Sequence, residues 1–145
     1  MHGLICATVD QSTGIAWITG GSTQTTVNGN TSINLGTGQA NTNAMKAQVG
    51  YTGGAAKVCD DYVNVETGTG VYSDWYLPSK NEIMQMQLNQ NAINAGFVFG
   101  YYWSSSEHDY NYGLNAWVAL FVSDFTVTAA TKDNNITKVR AIRSF

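Results

Sequence analysis

Residues 115–128, NAWVALFVSDFTVT, restrict the fold more than any other stretch of the chain. In a half-buried strand polar and apolar residues alternate, because successive side chains point to opposite faces. Here Trp117, Ala119 and Phe121 would line one face and Val118, Leu120 and Val122 the other, so the strand is apolar on both sides. Two arrangements satisfy this pattern. Either the strand is central and covered on both faces, or its second face is an exposed apolar patch of the kind that meets a partner. Leaving one Val or Leu uncovered forgoes about 1.5–3 kcal/mol, so three in a row demand a cover of some kind.

The chain has 145 residues, enough for one domain, 1–145, to bury a core without disulfides or metals. Only 12% of residues are charged, and the polar remainder is mostly Gly, Ser, Thr and Asn, which suits a loop-rich extracellular or virion domain better than a charge-dense cytosolic enzyme. Seven scattered Lys and Arg against ten Asp and Glu argue against a phosphate-tracking surface, so no nucleic-acid partner is expected. Membrane insertion is not expected either, since no apolar run reaches the roughly 18 residues that a span needs. The start MHGLICATVD lacks the basic flank and apolar stretch of a signal peptide, and the chain reads as mature or excised from a larger protein. Cys6 and Cys59 have no close-spaced metal pattern; they read as two unreactive thiols, with a bridge between them left open.

GLICATVD and GIAWITG read as two strands joined in a hairpin through QST. From Gly20 to Asn43 the composition predicts a long surface loop, whose GxG lacks the strand, third glycine and Lys of a phosphate cradle. Helices are predicted over Ala40–Val49 and Ala55–Val63, separated by the breaker GYTGG, the second with an apolar stripe of Ala55, Val58, Cys59 and Tyr62. In WYLPSKNEIMQMQL, Pro78 holds Leu77 extended, and Ser79 with Glu82 three residues on forms a capping box that starts a helix faced by Ile83, Met84, Met86 and Leu88. The remainder is β-rich: YYWSSSE, NAWVALFVSD, FTVTAAT and KVRAIRSF. In the last of these at least one Arg must lie near the core, paired or bonded to backbone carbonyls. The expected class is α+β, with strands from both chain ends sharing a sheet and the helices between them.

WYLPSKNE, YYWSSSE, NAW, Phe121 and KVRAIRSF resemble a recurrent bacterial and phage domain, domain of unknown function 1566, also described as the Legionella collagen-like C-terminal domain. GLICATVDQSTGIAW and GTGQANTNA…AAKVCDD are similar to its N-terminal half, so the resemblance spans nearly the whole chain. It implies a C-type lectin fold, a mixed and mainly antiparallel sheet with two or three helices, without calcium motifs. The chain also resembles the variable protein of a diversity-generating retroelement, whose adenine-directed mutagenesis of AAC codons cannot write Glu, Gln, Lys, Met or Trp. Between His108 and Thr137 only Trp117 and Lys132 belong to that excluded group, which marks 108–137 as the variable segment. Asp124 departs from the family's F-x-x-G turn, although Asp tolerates left-handed backbone.

Ser104, Ser105 and Ser106 precede His108 and Asp109, so the members of a hydrolytic triad are nominally present. No G-x-S-x-G elbow accompanies them, and hydroxyls that satisfy buried backbone are the plainer reading. A metal site would require His2, His108 and Asp60, Asp61 or Asp74 to converge, and none shows ligand spacing; Asp60 and Asp61 read as a solvated helix end and Asp74 as a turn residue. Leu77, Pro78 and Ser79 are similar to the helix start of formylglycine-generating oxygenases, but those act through late cysteines and this chain has none after Cys59. No catalytic residue, metal or cofactor is therefore assigned.

The functional expectation is a non-enzymatic receptor-binding domain on a bacterial surface or phage virion, engaging a protein or glycan of another cell. Its binding face comprises Tyr110, Asn111, Tyr112, Leu114, Val118, Leu120, Val122, Phe125, Val127 and Asn134, with Trp103, Trp117 and Phe121 packed beneath. Tyr offers wide rigid contact with a polar tip, and Asn111, Asn134 and Asn135 supply hydrogen bonds. The alternative is a structural or oligomerisation module in which Val118, Leu120 and Val122 bury against a sister subunit.

Overall fold

A computed structural model describes residues 2–20, 31–66, 70–108 and 113–145. Along the chain these form β1 (Leu4–Cys6), β2 (Ile18–Thr19), α1 (Gly38–Lys46), β3 (Gly53–Gly54), α2 (Ala55–Asp60), β4 (Asn64–Glu66), β5 (Gly70–Tyr72), α3 (Lys80–Leu88), α4 (Gln90–Ile93), β6 (Gly100–His108), β7 (Asn115–Phe121), β8 (Val127–Thr131) and β9 (Ile142–Ser144). The class is α+β, with antiparallel strand pairs and helices between the terminal strands. Tyr110, Asn111 and Tyr112 lie outside the described residues, as does 21–30 of the expected surface loop.

The doubly apolar strand is β7, the middle of the three-stranded sheet β6-β7-β8. Cross-strand partners share a face, and Trp103 pairs with Val118, which pairs with Thr128; Tyr102 pairs with Ala119, which pairs with Val127. Trp103, Ala116 and Val118 enter one core with Trp17, Met45, Trp75 and Val139. Tyr102, Ala119 and Phe121 enter a second with Tyr76, Ile83, Met86 and Ile142. The sheet is thus a partition between two cores within one chain, and both faces of β7 are covered there.

The N-terminal hairpin expected from the sequence does not form. β1 pairs with β9 and β2 with β3, because the intervening residues follow the C-terminal segment: Gln11 N–H donates to Val139 O (2.9 Å) and Ile15 N–H to Thr137 O (3.1 Å). The breaker GYTGG supplies β3. Gly54, at φ +114°, lies so close to β2 that a Cβ would stand 2.6 Å from Trp17 O. α1 starts inside the expected loop and stops at Lys46, and α2 stops at Asp60. Ala55 and Cys59 of its stripe are fully buried, with Val58 and Tyr62 packed beside them.

α3 begins where the capping box places it. Ser79 Oγ accepts from Glu82 N–H (3.3 Å), while Glu82 Oε2 accepts from Ser79 N–H (2.7 Å) and Oε1 from Gly36 N–H (3.0 Å). Buried Glu82 therefore closes the helix start and ties down residues 33–36. Of the expected helix face, Ile83 and Met86 are buried and Met84 is partly so, but Leu88 is exposed at the last turn.

Arg140 is the core arginine. Its Nε donates to Asp10 Oδ1 (2.8 Å), NH1 to the carbonyls of Ala7 (3.0 Å) and Ala95, and its guanidinium lies 4.4 Å from the Phe97 ring centre. Asp10 also accepts from Tyr102 Oη (3.1 Å). The fork joins the N-terminal segment, the loop after α4 and β6. Breaking a buried pair on one side strands the other charge, so Arg140→Ala is expected to cost about 3–5 kcal/mol in urea unfolding. Arg140→Lys will restore less than half of it, because an ammonium cannot make the planar fork.

Candidate functional site

The three serines sit in an irregularity of β6. Trp103 pairs with Val118, but the next pair is Glu107 with Ala116, so β6 carries two extra residues across this interval. Ser104 Oγ donates to Trp117 O (2.8 Å), Ser105 Oγ accepts from Asn41 Nδ2 (3.1 Å), and Ser106 Oγ donates to Ser32 O (2.7 Å) and accepts from Lys80 N–H (2.9 Å). All three are buried; Ser104 Oγ replaces a ladder bond to β7, while Ser105 and Ser106 anchor the bulge to Asn41, Ser32 and Lys80. The His108 ring stacks against Trp117 at 4.3 Å, and Asp109 lies outside the described residues.

The carboxylates weighed and set aside as metal ligands are spread among cations. Asp60 pairs with Lys46 (2.7 Å), Asp61 with Lys57, and Asp74 takes both prongs of Arg143 (2.6 and 2.8 Å), a bond that holds its carboxyl below the usual range. Among the described residues no three His, Cys, Asp or Glu side chains come together. Cys6 and Cys59 are free thiols; burial pushes Cys6 up to about 11 and Cys59 well above the ordinary value.

Lys132 is sealed at the far end of the sheet. Its Nζ binds Glu107 Oε2 at 2.7 Å and stands 4.7 Å from the Trp17 ring centre. Burial lowers its pKa and Glu107 raises it again, so the pair joins β6 to the residue after β8. Trp117, expected in the core, is only partly buried: His108 lies on it, and Lys80 Nζ sits 3.7 Å from its ring centre.

Among the described residues the expected binding face does not form one continuous surface. Val118 is 1% exposed and belongs to the first core, which removes it from any contact surface except as a floor. Leu120 is partly buried beside Tyr101, Leu114 is partly buried, and Val127 packs against the second core. Val122 and Phe125 are exposed, but at the β7–β8 turn, where they line a hollow of about 490 Å³ with Gln90, Asn91, Asn94 and Phe97. The strand ends at Phe121 because Val122 turns left-handed, at φ +60°. The left-handed position is thus Val122 and not Asp124, whose carboxylate instead accepts from Thr126 Oγ1 (2.7 Å).

The remaining expected residue, Asn134, lies elsewhere with Val118. A groove of about 520 Å³ opens beside β8, walled by Phe99, Tyr101, Ile136 and Lys138, with Thr128 and Ala130 along one side. Phe99 and Ile136 are 67% and 75% exposed and line the same groove, and clustered exposed apolar residues, unlike single ones, mark contact surfaces. Asn134 Oδ1 accepts from Ile136 N–H (3.0 Å) and Thr137 Oγ1 (3.1 Å), which sets the loop. Lys138 crosses Gly100, so a Cβ there would stand 2.8 Å from Nζ; among the described residues its ammonium has no carboxylate within ion-pair range.

Phe99, Tyr101, Ile136 and Lys138 were missed from the sequence. Tyr101 was legible, since in YYW the period of two sends Tyr101 and Trp103 to the face opposite Tyr102. Ile136, alone in DNNITK, offered only the anomaly of an apolar residue in a polar loop. Compared with protein-family models, curated proteins and solved structures, the chain matches none.

Two outcomes follow from this geometry. With a thiol pKa of about 11, about a thousandth of Cys6 is thiolate at pH 8, so iodoacetamide will label neither cysteine in the native chain and both after unfolding. Val122→Gly will relieve left-handed strain in a β-branched residue and stabilise the fold by about 0.5–1 kcal/mol in urea titration, with little burial lost.

Proposed function

We propose that the chain is a non-enzymatic recognition domain that binds a protein segment on another cell's surface through the groove walled by Phe99, Tyr101, Ile136 and Lys138. The observation that carries this reading is the groove itself: clustered exposed apolar side chains over a buried Val118 floor, with the Lys138 ammonium, which has no carboxylate partner among the described residues, at the rim. Apolar walls with one cation fit a protein segment that offers an apolar side chain and a carboxylate better than they fit a glycan, whose hydroxyls need more polar partners.

A C-type lectin fold is compatible with the pairing of terminal strands β1 and β9, the three-stranded sheet and the intervening helices. The retroelement reading draws support from the two residues that adenine mutagenesis cannot write. Lys132 is buried on Glu107, and Trp117 sits between His108 and Lys80, so both perform structural tasks that diversification must leave alone. Val118, Ala130, Asn134 and Ile136 lie inside segment 108–137, whereas Phe99, Tyr101 and Lys138 form a constant flank. On this reading the domain belongs on a bacterial surface or phage virion, outside the cell.

Binding should be measured by interferometry against purified envelope proteins and envelope glycans of candidate host bacteria. Phe99→Ser with Ile136→Ser is expected to weaken the engaged protein at least about tenfold, the loss of a small hot spot, with the far-UV spectrum unchanged. Retention of full affinity in that variant would exclude the groove, and engagement of glycans alone would replace the protein partner by a carbohydrate.

A further inference from the structure

Among the described residues no strand pairs with the outer edge of β8, and its hydrogen-bonding register shows which groups face outward. Leu120 N–H donates to Thr126 O (2.9 Å) and Lys132 N–H to Leu114 O (2.8 Å), which fixes the phase of the ladder between β7 and β8. In antiparallel pairs the bonded positions alternate. Residues 126, 128, 130 and 132 therefore turn their backbone groups toward β7, and Val127, Ala129 and Thr131 turn theirs away. Among the described residues no strand lies on that side, and only Thr131 O has an acceptor role, to Asn134 N–H (2.9 Å). The usual protections of an edge are also missing: Thr126–Thr131, TVTAAT, contains no charge and no proline, and the strand has no bulge.

We infer that this edge pairs with β8 of a second copy, antiparallel about a twofold axis at Ala129. In that register Ala129 faces its own copy and the two exchange both N–H to C=O bonds. Val127 faces the second copy's Thr131, and the reciprocal pair repeats the arrangement, so every outward N–H and C=O of the strand finds a partner. Thr131 O accepts a second bond on its other lone pair. The facing side chains are small or β-branched: Val127 against Thr131, Thr128 against Ala130, and Ala129 against Ala129. None brings charge to the axis, and each contact is repeated by its twofold mate, which is the self-complementarity that a twofold interface requires. The two three-stranded sheets become one of six strands. The dimer uses the backbone of β8, whereas ligand recognition uses side chains of the groove that Thr128, Ala129 and Ala130 also line; substitutions at Phe99 and Ile136, which lie off the strand, separate the two readings.

Sedimentation velocity on the full chain from micromolar to millimolar concentration, with amide hydrogen exchange at both ends of the range, tests this. A monomer–dimer shift is expected, in which the Val127, Ala129 and Thr131 amides become protected as the dimer forms, while Thr128 and Ala130 are protected throughout. Ala129→Pro removes an outward N–H that β7 does not use, and exposed Thr131→Lys places a charge on the edge; each is expected to stay monomeric with an unchanged far-UV spectrum. Phe99→Ser with Ile136→Ser will still dimerise. A monomer at every concentration, a dimer that survives both edge variants, or odd-numbered amides that exchange freely in the dimer would overturn the proposal. So would protection of those amides by an added peptide of residues 125–132 in a chain that never self-associates, since the edge would then serve an extended peptide.

Discussion

Everything in this molecule is arranged around a strand buried on both sides. β7 contributes Ala116 and Val118 to one core and Ala119 and Phe121 to the other, and neither core could close without it. A sheet that partitions two cores needs apolar residues on both faces of its central strand, and it leaves that strand little exposed side-chain surface. Exposed apolar surface is thereby displaced to the sheet's margins, where the covering layers end: the mouth of the groove at Tyr101 and Ile136, and the turn at Val122 and Phe125.

Such a partition creates a polar problem as well as an apolar one. Where β6 bulges, backbone groups lose their ladder partners in a dry place; Ser104 restores one bond to β7, and Ser105 and Ser106 fasten the bulge to Asn41, Ser32 and Lys80. Where β9 and the segment before it cross the second core, Arg140 supplies donors to two chain segments at once, the N-terminal one and the loop after α4. Lys132 and Glu107 do the same at the opposite end. Buried hydrogen-bonded charges of this sort add little net stability over apolar packing, but a wrong register would strand them, so they select one arrangement of loops.

Local signals were legible in the sequence where a single physical rule decides. The capping box of Ser79 and Glu82, the need to pair a core arginine and the hydroxyl role of the serines each follow from the cost of an unsatisfied polar group, and the structure shows all three. Pairing partners were not legible. β1 and GIAWITG look like a hairpin because nearness in sequence is the only proximity a sequence displays, whereas the actual partners of β1 and β2 lie far along the chain. The binding face failed for a related reason. Val118 reads the same whether its cover is a partner molecule or Trp17 and Val139 of its own chain, and only tertiary structure separates the two. Leu88 and Val122 show the remaining error, that periodicity says nothing about where an element ends.

The central claim is that Val118 faces inward and Ile136 outward, though both are β-branched apolar residues at one groove. Paired urea titrations of Val118→Ala and Ile136→Ala test it most directly. Two deleted methyls and the void they leave predict a loss of about 2 kcal/mol or more at Val118, and a change within about 0.5 kcal/mol at exposed Ile136. Equal losses at the two positions, or the greater loss at Ile136, would contradict the partitioned core.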